Sequence, residues 1–560
     1  MRDDLAARLC RSRADAIRMK RFLSEKVLTR CELAAASLLT VFLVAFHAVF
    51  FLRAGPLWRD EISSLALATK PTLAEFWRYL PFDPFPACYF LLLRSWQGLG
   101  LVGNDLALRG LGLMIGLSII GALWLSCYLI NKSAPLWPLA LFALNPLTLE
   151  GGDSLRPYGL GLIWIALAFG FIWRIAFDRF GKAIVLFAFV AALLGVQSLF
   201  TNAFILFAVG VGAAALLLQR KSWLARGLIF AIGLIAAVSL LPYLPIMHAT
   251  RDWAKIIAAK NDITGVIAVG DDAISDGGAV ARWAWLTFGA GLTGAFLLAI
   301  PHRLAAVVDL NRDRIIFAAA TMVVAALATI GFLCAAQYLV FPRYFLPAMA
   351  IAALCAHAFW NSLPNRPGIR IISLFLVLLT AATELRPFCK RANMRMTNCD
   401  EIAAMVERRA GRDDLIILTS FLYGVSFQRY YHGQTTWLTV PPIEDFSLHR
   451  WDLLKQAMAR PDPVPDLISR AEIVLRAGHK IFLVGKLGPP PPTQPESLPP
   501  APESAFGWQM EPYLAQWKSE LTYWVEHHAL HGSNLPIEER QSINRFESLG
   551  LFEISGWREP

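Results

Sequence analysis

The sequence predicts an α-helical polytopic membrane protein of about eleven transmembrane helices, closed by a C-terminal soluble α/β domain. Hydrophobic residues make up 56% of the chain and charged residues only 17%, against roughly 25% charged in a soluble domain. Mean hydropathy is correspondingly high, at +0.49. The apolar residues gather into long runs as far as about residue 385, and from Arg386 the composition becomes that of a soluble domain.

Near-continuous apolar sequence occupies about residues 33–53, 109–130, 134–149, 156–177, 183–198, 203–218, 226–247, 283–301, 315–337, 344–360 and 371–385. These lengths suit a hydrocarbon core of ~30 Å once tilt is allowed. A shorter aromatic run, Pro86 to Arg94, is decided by charge. If residues 86–99 do not cross, then Lys132, Arg174/Arg179/Lys182, Arg220/Lys221/Arg226, Arg303/Arg312/Arg314 and Arg366/Arg370 all fall on the side of the basic N-terminus. Residues 86–99 are therefore read as juxtamembrane or re-entrant, with the N-terminus cytoplasmic and everything after Leu385 outside. Nine of the 52 Lys and Arg lie in the first thirty residues, so the net charge of +10 reads as an orientation signal and not as a nucleic-acid footprint. No small-residue cleavage site follows the first run, which predicts a retained anchor. The predicted organisation is a basic segment 1–32, a membrane domain 33–385 whose first external loop spans 54–108, and an external α/β domain 386–560.

Within that domain, Asp414–Leu418 and Lys480–Val484 read as buried strands, helical patterns surround Glu401–Arg409 and Leu514–His528, and Phe552–Trp557 supplies a last edge strand. The proline run of residues 488–495 must be extended and exposed, because proline removes backbone donors. Cys127, Cys334 and Cys355 fall inside apolar runs as ordinary packing, and no cysteine spacing resembles a metal site. Cys389 and Cys399 fall outside and close together, and the sequence leaves their pairing open.

Three polar clusters converge on the external face under this topology. The first is Asp60-Glu61, behind Trp58-Arg59, where a membrane helix gives way to water. Rim carboxylates are functional candidates, although acids also simply end helices. The second is Asn145-Pro146 with Asp153-Ser154-Leu155-Arg156-Pro157-Tyr158, and the third is Phe341-Pro342-Arg343-Tyr344. A long loop from His248 to Arg282, carrying Arg251, Trp253, Lys255 and Lys260, is expected over the same side. Taken singly, Arg156 and Arg343 serve as interfacial anchors, Tyr158 and Tyr344 as an aromatic belt, and Asp153 as a local partner of Arg156. Jointly they make chemical sense. A carboxylate takes a proton from an incoming hydroxyl, and arginines at headgroup depth hold and stabilise a phosphate leaving group. Those are the parts of a transferase that displaces a group, most naturally a sugar, from a lipid phosphate.

The order of these features resembles the GT-C membrane glycosyltransferases, and within them glycosyltransferase family 39, which includes protein O-mannosyltransferases and the aminoarabinose transferase of lipid A. The matching residues are Trp58-Arg59-Asp60-Glu61, Asp83-Pro84-Phe85-Pro86-Ala87-Cys88-Tyr89, Asn104-Asp105-Leu106-Ala107-Leu108-Arg109, Arg156-Pro157-Tyr158-Gly159-Leu160 and Arg343-Tyr344-Phe345-Leu346-Pro347. The resemblance implies a polyprenyl-phosphate sugar donor and inverting transfer to an acceptor hydroxyl on a protein, lipid or glycan, at the extracytoplasmic face of a bacterial inner membrane. It implies no nucleotide sugar and no obligatory metal. Carried over, Asp60 is the general base, Glu61 its neighbour in the acceptor or sugar site, and Asp153 a second acidic site. Arg156, Tyr158, Arg343, Tyr344 and Arg251 are the donor-phosphate and lipid-binding set. Where relatives carry His-Pro-Pro or a lysine this chain has Phe85-Pro86, with Arg94 or Arg78 as substitutes. The alternative is a transporter or flippase of a lipid-linked or anionic substrate, whose usual mark, a repeated half with matching broken helices, is missing from the sequence. A non-catalytic scaffold needs fewer spans than this, and a surface-polysaccharide polymerase would place a large external loop between late spans.

Overall fold

The computed structural model describes residues 2–100, 103–177, 180–220, 222–299, 311–364, 366–537 and 541–559, with side chains from residue 25 onward and without that of Trp253. Arg179, Lys221 and Arg303 of the predicted basic clusters lie outside the described residues. The protein is mostly helical, with a small mixed sheet near its C-terminus.

Helix α1 (Arg2–Arg53) joins the basic segment and the first apolar run in one rod. It stops at Ala54-Gly55-Pro56, where Gly55 takes φ +67, a left-handed conformation natural to glycine. Helices α2 (Arg59–Ala68), α3 (Leu73–Tyr79) and α4 (Ala87–Gln97) fill the first connection. At 11 residues, α4 extends ~16 Å at 1.5 Å per residue, too short to cross. Then follow α5 (Asp105–Asn131), α6 (Leu136–Pro138), α7 (Pro146–Asp153), α8 (Pro157–Ala176), α9 (Lys182–Ser198), α10 (Asn202–Arg220), α11 (Trp223–Val238), α12 (Leu244–Ala254), α13 (Ile263–Ser275), α14 (Ala279–Ala299), α15 (Arg312–Ala336), α16 (Leu346–Trp360) and α17 (Pro367–Ala392).

Every predicted apolar run is largely helical over its described residues. Among the described residues, seven helical stretches are long and apolar enough to cross a membrane: residues 25–53, α5, α8, α10, residues 223–252, α15 and α17. The remaining runs form α9, α14, α16 and a broken element. That break shows that 134–149 is not one continuous helix. Leu139–Ala143 is π-helical, and Asn145 restarts the chain by accepting from Leu147 N at 2.9 Å. Pro138 and Pro146 remove two backbone donors from this stretch, which is why it cannot run straight. A second correction concerns residues 248–282, which are not a loop. Asp262 caps α13 by accepting from Gly265 N at 2.7 Å, and Val266 and Ala273 bury one face of that helix.

One buried polar contact joins three of the bundle's helices. His47 Nδ1 of α1 lies 2.8 and 2.9 Å from the two carboxylate oxygens of Asp153, which closes α7. A Cβ built on Gly116 of α5 would overlap Asp153 Oδ1 and sit 2.7 Å from His47 Nδ1. Three helices therefore meet at a point where only glycine fits.

The C-terminal elements are α18 (Cys399–Arg409), β1 (Leu415–Leu418), α19 (Gly424–Tyr430), β2 (Thr436–Thr439), α20 (Trp451–Met458), α21 (Val464–Arg476), β3 (Lys480–Val484), α22 (Met510–His528), β4 (Ala529–Asn534) and β5 (Leu551–Trp557). The sheet order is β2-β1-β3-β5-β4, with β1 parallel to β2 and β3, and β5 antiparallel to β3 and β4. Leu415–Leu418 is buried throughout, as a parallel central strand requires. The segment expected at the edge is instead internal, and the edges are β2 and β4. Neither edge strand has an apolar alternation strong enough to announce it. Cys389 and Cys399 are free thiols. The last membrane helix continues past the expected boundary to Ala392, and the head docks directly on the bundle through Met396 N to Ala54 O at 2.8 Å and Tyr430 Oη to Asp105 Oδ2 at 2.7 Å.

The tight contact at Gly116 yields a prediction. Gly116→Ala is expected to force α5 away from the His47–Asp153 pair and to destabilise the protein by about 1–3 kcal/mol, as overpacking does. A lowered thermal midpoint in detergent checks it, and an unchanged midpoint would contradict the packing.

Candidate active site

The site is built from the first turn of α2. Trp58 is extended at its N-cap, and Glu61 returns its carboxylate to Trp58 N at 3.2 Å. Glu61 is fully buried and also accepts from Arg109 NH1 at 2.5 Å and Leu155 N at 2.9 Å. Arg109 in turn donates to Gly55 O at 3.2 Å and Pro56 O at 2.8 Å. This ion pair ties α2 to α5 and to the turn before α8. Glu61 lies outside the lining of the cavity that Asp60 borders.

Asp60 is the preceding residue, rotated by about 100° around the helix. It lines a cavity of about 780 Å³ with Trp58, Arg156, Tyr158, Arg343 and Phe546. Its Oδ2 lies 3.7 Å from Arg343 NH2, and its Oδ1 lies 3.4 Å from His449 Nε2 and 3.9 Å from Arg59 Nε. Burial acts to raise the Asp60 carboxyl, but the nearby His449 ring and the charges of Arg156 and Arg343 outweigh it and hold the group well below the usual carboxylate range. Asp60 is therefore ionised, and none of its charged neighbours is in tight contact.

Arg156 is fixed from below. Its NH1 donates to Asp60 O at 3.0 Å, Ser64 Oγ at 2.6 Å and Asp83 Oδ2 at 2.8 Å, while Ser64 Oγ donates to the same Asp83 oxygen at 2.7 Å. Its guanidinium stands 4.9 Å from the centroid of Phe85, and Phe85 meets Tyr158 edge-on at 5.6 Å. Arg343 stacks over Phe341 at 4.5 Å, and its buried Nε has no hydrogen-bond partner among the described residues. Two guanidiniums thus flank one carboxylate, and one of them still has a donor to give. Such a surface favours a bound anion.

The far end of the cavity has a different character. Arg391 pairs with Glu150 and, at 3.1 Å, with Asp276, and Asn544 Nδ2 donates to Glu150 Oε1 at 3.1 Å. Residues 542–546 of the head roof this end. Arg59 holds the roof in place by donating from NH1 to Phe546 O at 2.8 Å and from its backbone to Glu547 Oε2 at 3.2 Å. Glu547 is fully buried and accepts from Ser426 Oγ at 2.6 Å. Burial pushes its carboxyl up to about 7, against the lowering effects of Arg59 and Ser426.

The remaining sequence-predicted residues fall as follows. Asp153 is buried with His47 and does not line the cavity. Tyr344 packs edge-on against Tyr338 and Phe341 at 5.9 and 5.8 Å, behind Arg343. Arg251 is exposed on α12, outside the lining. Arg94 donates to the carbonyls of Ala68, Lys70 and Pro71. Among the described residues, no group of three or more His, Cys, Asp or Glu is placed to hold a metal ion. Sequence reasoning passed over Ser64, Glu150, Arg391, Glu547 and His449. Glu150 sits inside the 145–158 element already singled out, whereas His449 carries no local signal.

No family model and no curated protein matches the chain. Among solved structures, the chain is similar to ArnT from Cupriavidus metallidurans in the apo state, at 11% identity over 80% of this chain and 93% of that one, with a TM-score of 0.49. ArnT from the same organism bound to undecaprenyl phosphate matches at 12% identity, over 79% and 92% of the two chains, with a TM-score of 0.48. The Archaeoglobus fulgidus oligosaccharyltransferase tethered with an acceptor peptide matches at 11% identity, over 90% and 73%, with a TM-score of 0.46.

Two outcomes are expected from this geometry. Glu61→Ala strands a buried arginine and should cost about 3–5 kcal/mol of stability, whereas Asp60→Asn, at the cavity wall, should cost far less. Comparison of the two thermal midpoints checks this, and equal losses would contradict it. For Glu547 the folded-state pKa stands above the ordinary carboxylate value, so its contribution to stability is full below about 4.5 and is lost as pH rises through about 7. The thermal midpoint of Glu547→Gln should therefore gain on that of the native chain as pH rises across this window, and a constant difference would exclude the shift.

Proposed function

We propose that this chain is a membrane glycosyltransferase of the GT-C type that moves a sugar from a polyprenyl-phosphate donor to an acceptor hydroxyl by base-assisted inverting displacement. The observation that carries the reading is the meeting of Asp60, Arg156 and Arg343 on one cavity, from elements almost 300 residues apart in the sequence. Asp60 is the general base. Arg343, with its free Nε, and Arg156 receive the donor phosphate and hold it as it leaves. Tyr158 lines the same wall.

The depressed basicity of Asp60 fits this sequence of events. In the free protein its carboxylate is held ionised by the His449 ring and the arginines. A phosphate bound to those arginines offsets their charge, so that Asp60 regains basicity once the donor is in place. Attack from the side opposite the phosphate gives inversion. The far end, walled by Glu150, Arg391 and Asn544, takes the acceptor. The reaction is assigned to the extracytoplasmic face, because the predicted topology puts the basic clusters between spans on the opposite side from the Asp60 loop.

Mass analysis of lipids and surface glycans from cells with and without the chain identifies the product. On that product, Asp60→Asn and Asp60→Ala should abolish transfer while leaving polyprenyl-phosphate binding nearly intact. Arg343→Ala should weaken that binding by about 10- to 100-fold, the range of a lost charged hydrogen bond. Full turnover in the Asp60 variants would remove the proposed base, and unchanged binding by Arg343→Ala would remove the phosphate pocket.

A further inference from the structure

His449 belongs to the head, in the segment between β2 and α20, yet it reaches the first turn of α2. Its side chain is almost fully buried, at 8% exposure for the residue. Neither Nδ1 nor Nε2 has a hydrogen-bond partner among the described residues, and Nε2 lies 3.4 Å from Asp60 Oδ1. Buried ring nitrogens without partners are costly, and sites that keep them commonly use them. The ring is fixed in plane by stacking on Trp451, with centroids 5.3 Å apart. The segment is pinned by Arg450, which pairs with Asp452 at 2.6 Å and with Asp445 and stands 5.7 Å over Phe82 in the first membrane connection. His449 is thus rigidly presented to the oxygen of Asp60 opposite to the one that faces Arg343.

We infer that His449 receives the proton that Asp60 takes from the acceptor hydroxyl, and so acts through Asp60 as a positioning and relay residue supplied by the head. The inference rests on the reading of Asp60 as the base. As the acceptor O–H bond breaks, its proton goes to Asp60. The acceptor oxygen forms the new bond to the sugar carbon, and the bond from that carbon to the phosphate oxygen breaks with its electron pair on the phosphate. Asp60 then passes the proton to Nε2 of neutral His449, and the resulting imidazolium, paired with the carboxylate, discharges to water. A carboxylate beside an imidazole and two arginines is a weak base alone, and the imidazole gives its proton an onward acceptor. The charged groups around this pair are Arg59 on α2, Arg156 at the start of α8, Arg343 before α16, Arg450 on the histidine's own segment and Glu547 of the roof.

The test uses membranes from cells producing the full chain in place of the chromosomal copy, so that the cell's own donor and acceptor are present, and follows the product from pH 5 to 8. Turnover by the native chain should fall as the medium is acidified, because an imidazole that already carries the proton cannot take it from Asp60. His449→Gln should lower kcat by about 100-fold at neutral pH, leave KM within about twofold and flatten that acid limb. Glu547→Gln should keep the limb, which separates His449 from the roof carboxylate. A native profile without an acid limb overturns the inference with no variant at all. So does an acid limb retained in His449→Gln, or a loss confined to KM. If Asp60→Asn is active in the same membranes, the base itself fails; if Asp60→Asn is dead and His449→Gln matches the native profile, only the relay fails.

Discussion

The buried ion pair between Glu61 and Arg109 is the contact on which the site depends. Two charges out of water are costly, and this pair is tolerable because backbone groups complete it: Trp58 N and Leu155 N for the carboxylate, Gly55 O and Pro56 O for the guanidinium. Those four groups belong to the end of α1, the start of α2 and the turn before α8. One side-chain pair thereby fixes three chain segments at the membrane rim. Because neighbouring residues on a helix differ by about 100° in direction, anchoring Glu61 inward leaves Asp60 to face the cavity. The two adjacent acids are chemically alike and differ in task only through helix phase.

A similar logic distributes the arginines. Arg156 spends one nitrogen on Asp60 O, Ser64 and Asp83, so it is held as scaffold and charge together. Arg343 relies on stacking over Phe341 and retains an unpartnered Nε. Arg59 is turned toward the head, where it fixes the backbone of Phe546. The cavity is consequently asymmetric, with free cationic donors beside Asp60 and mutually satisfied charges around Arg391 and Glu150. In the proposed reaction that asymmetry separates a leaving anion from a neutral nucleophile.

Much of this was legible in the sequence, and the reasons differ from part to part. The membrane helices could be read because hydrocarbon leaves the backbone few alternatives and apolar runs of the right length announce themselves. The interruption at Leu139–Ala143 was less visible, since the run stays apolar through two prolines. In the head, β1 and β3 stood out as buried runs, while β2 and β4 are short or exposed and owe their place to neighbours. Asp60, Arg156 and Arg343 could be nominated from order and topology. The division of labour between Asp60 and Glu61 could not, because it is set by Arg109, a partner 48 residues away. His449 had no periodicity or motif around it, and only the docking of the head brings it to α2. Asp153 illustrates the reverse case, where a rim-like acid proves to be satisfied by a histidine from α1.

The clasp between Arg59 and Glu547 spans 488 residues of sequence. During synthesis the α2 segment leaves the ribosome long before the stretch that roofs it exists. A nascent chain therefore lacks this clasp until residue 547 has left the ribosome.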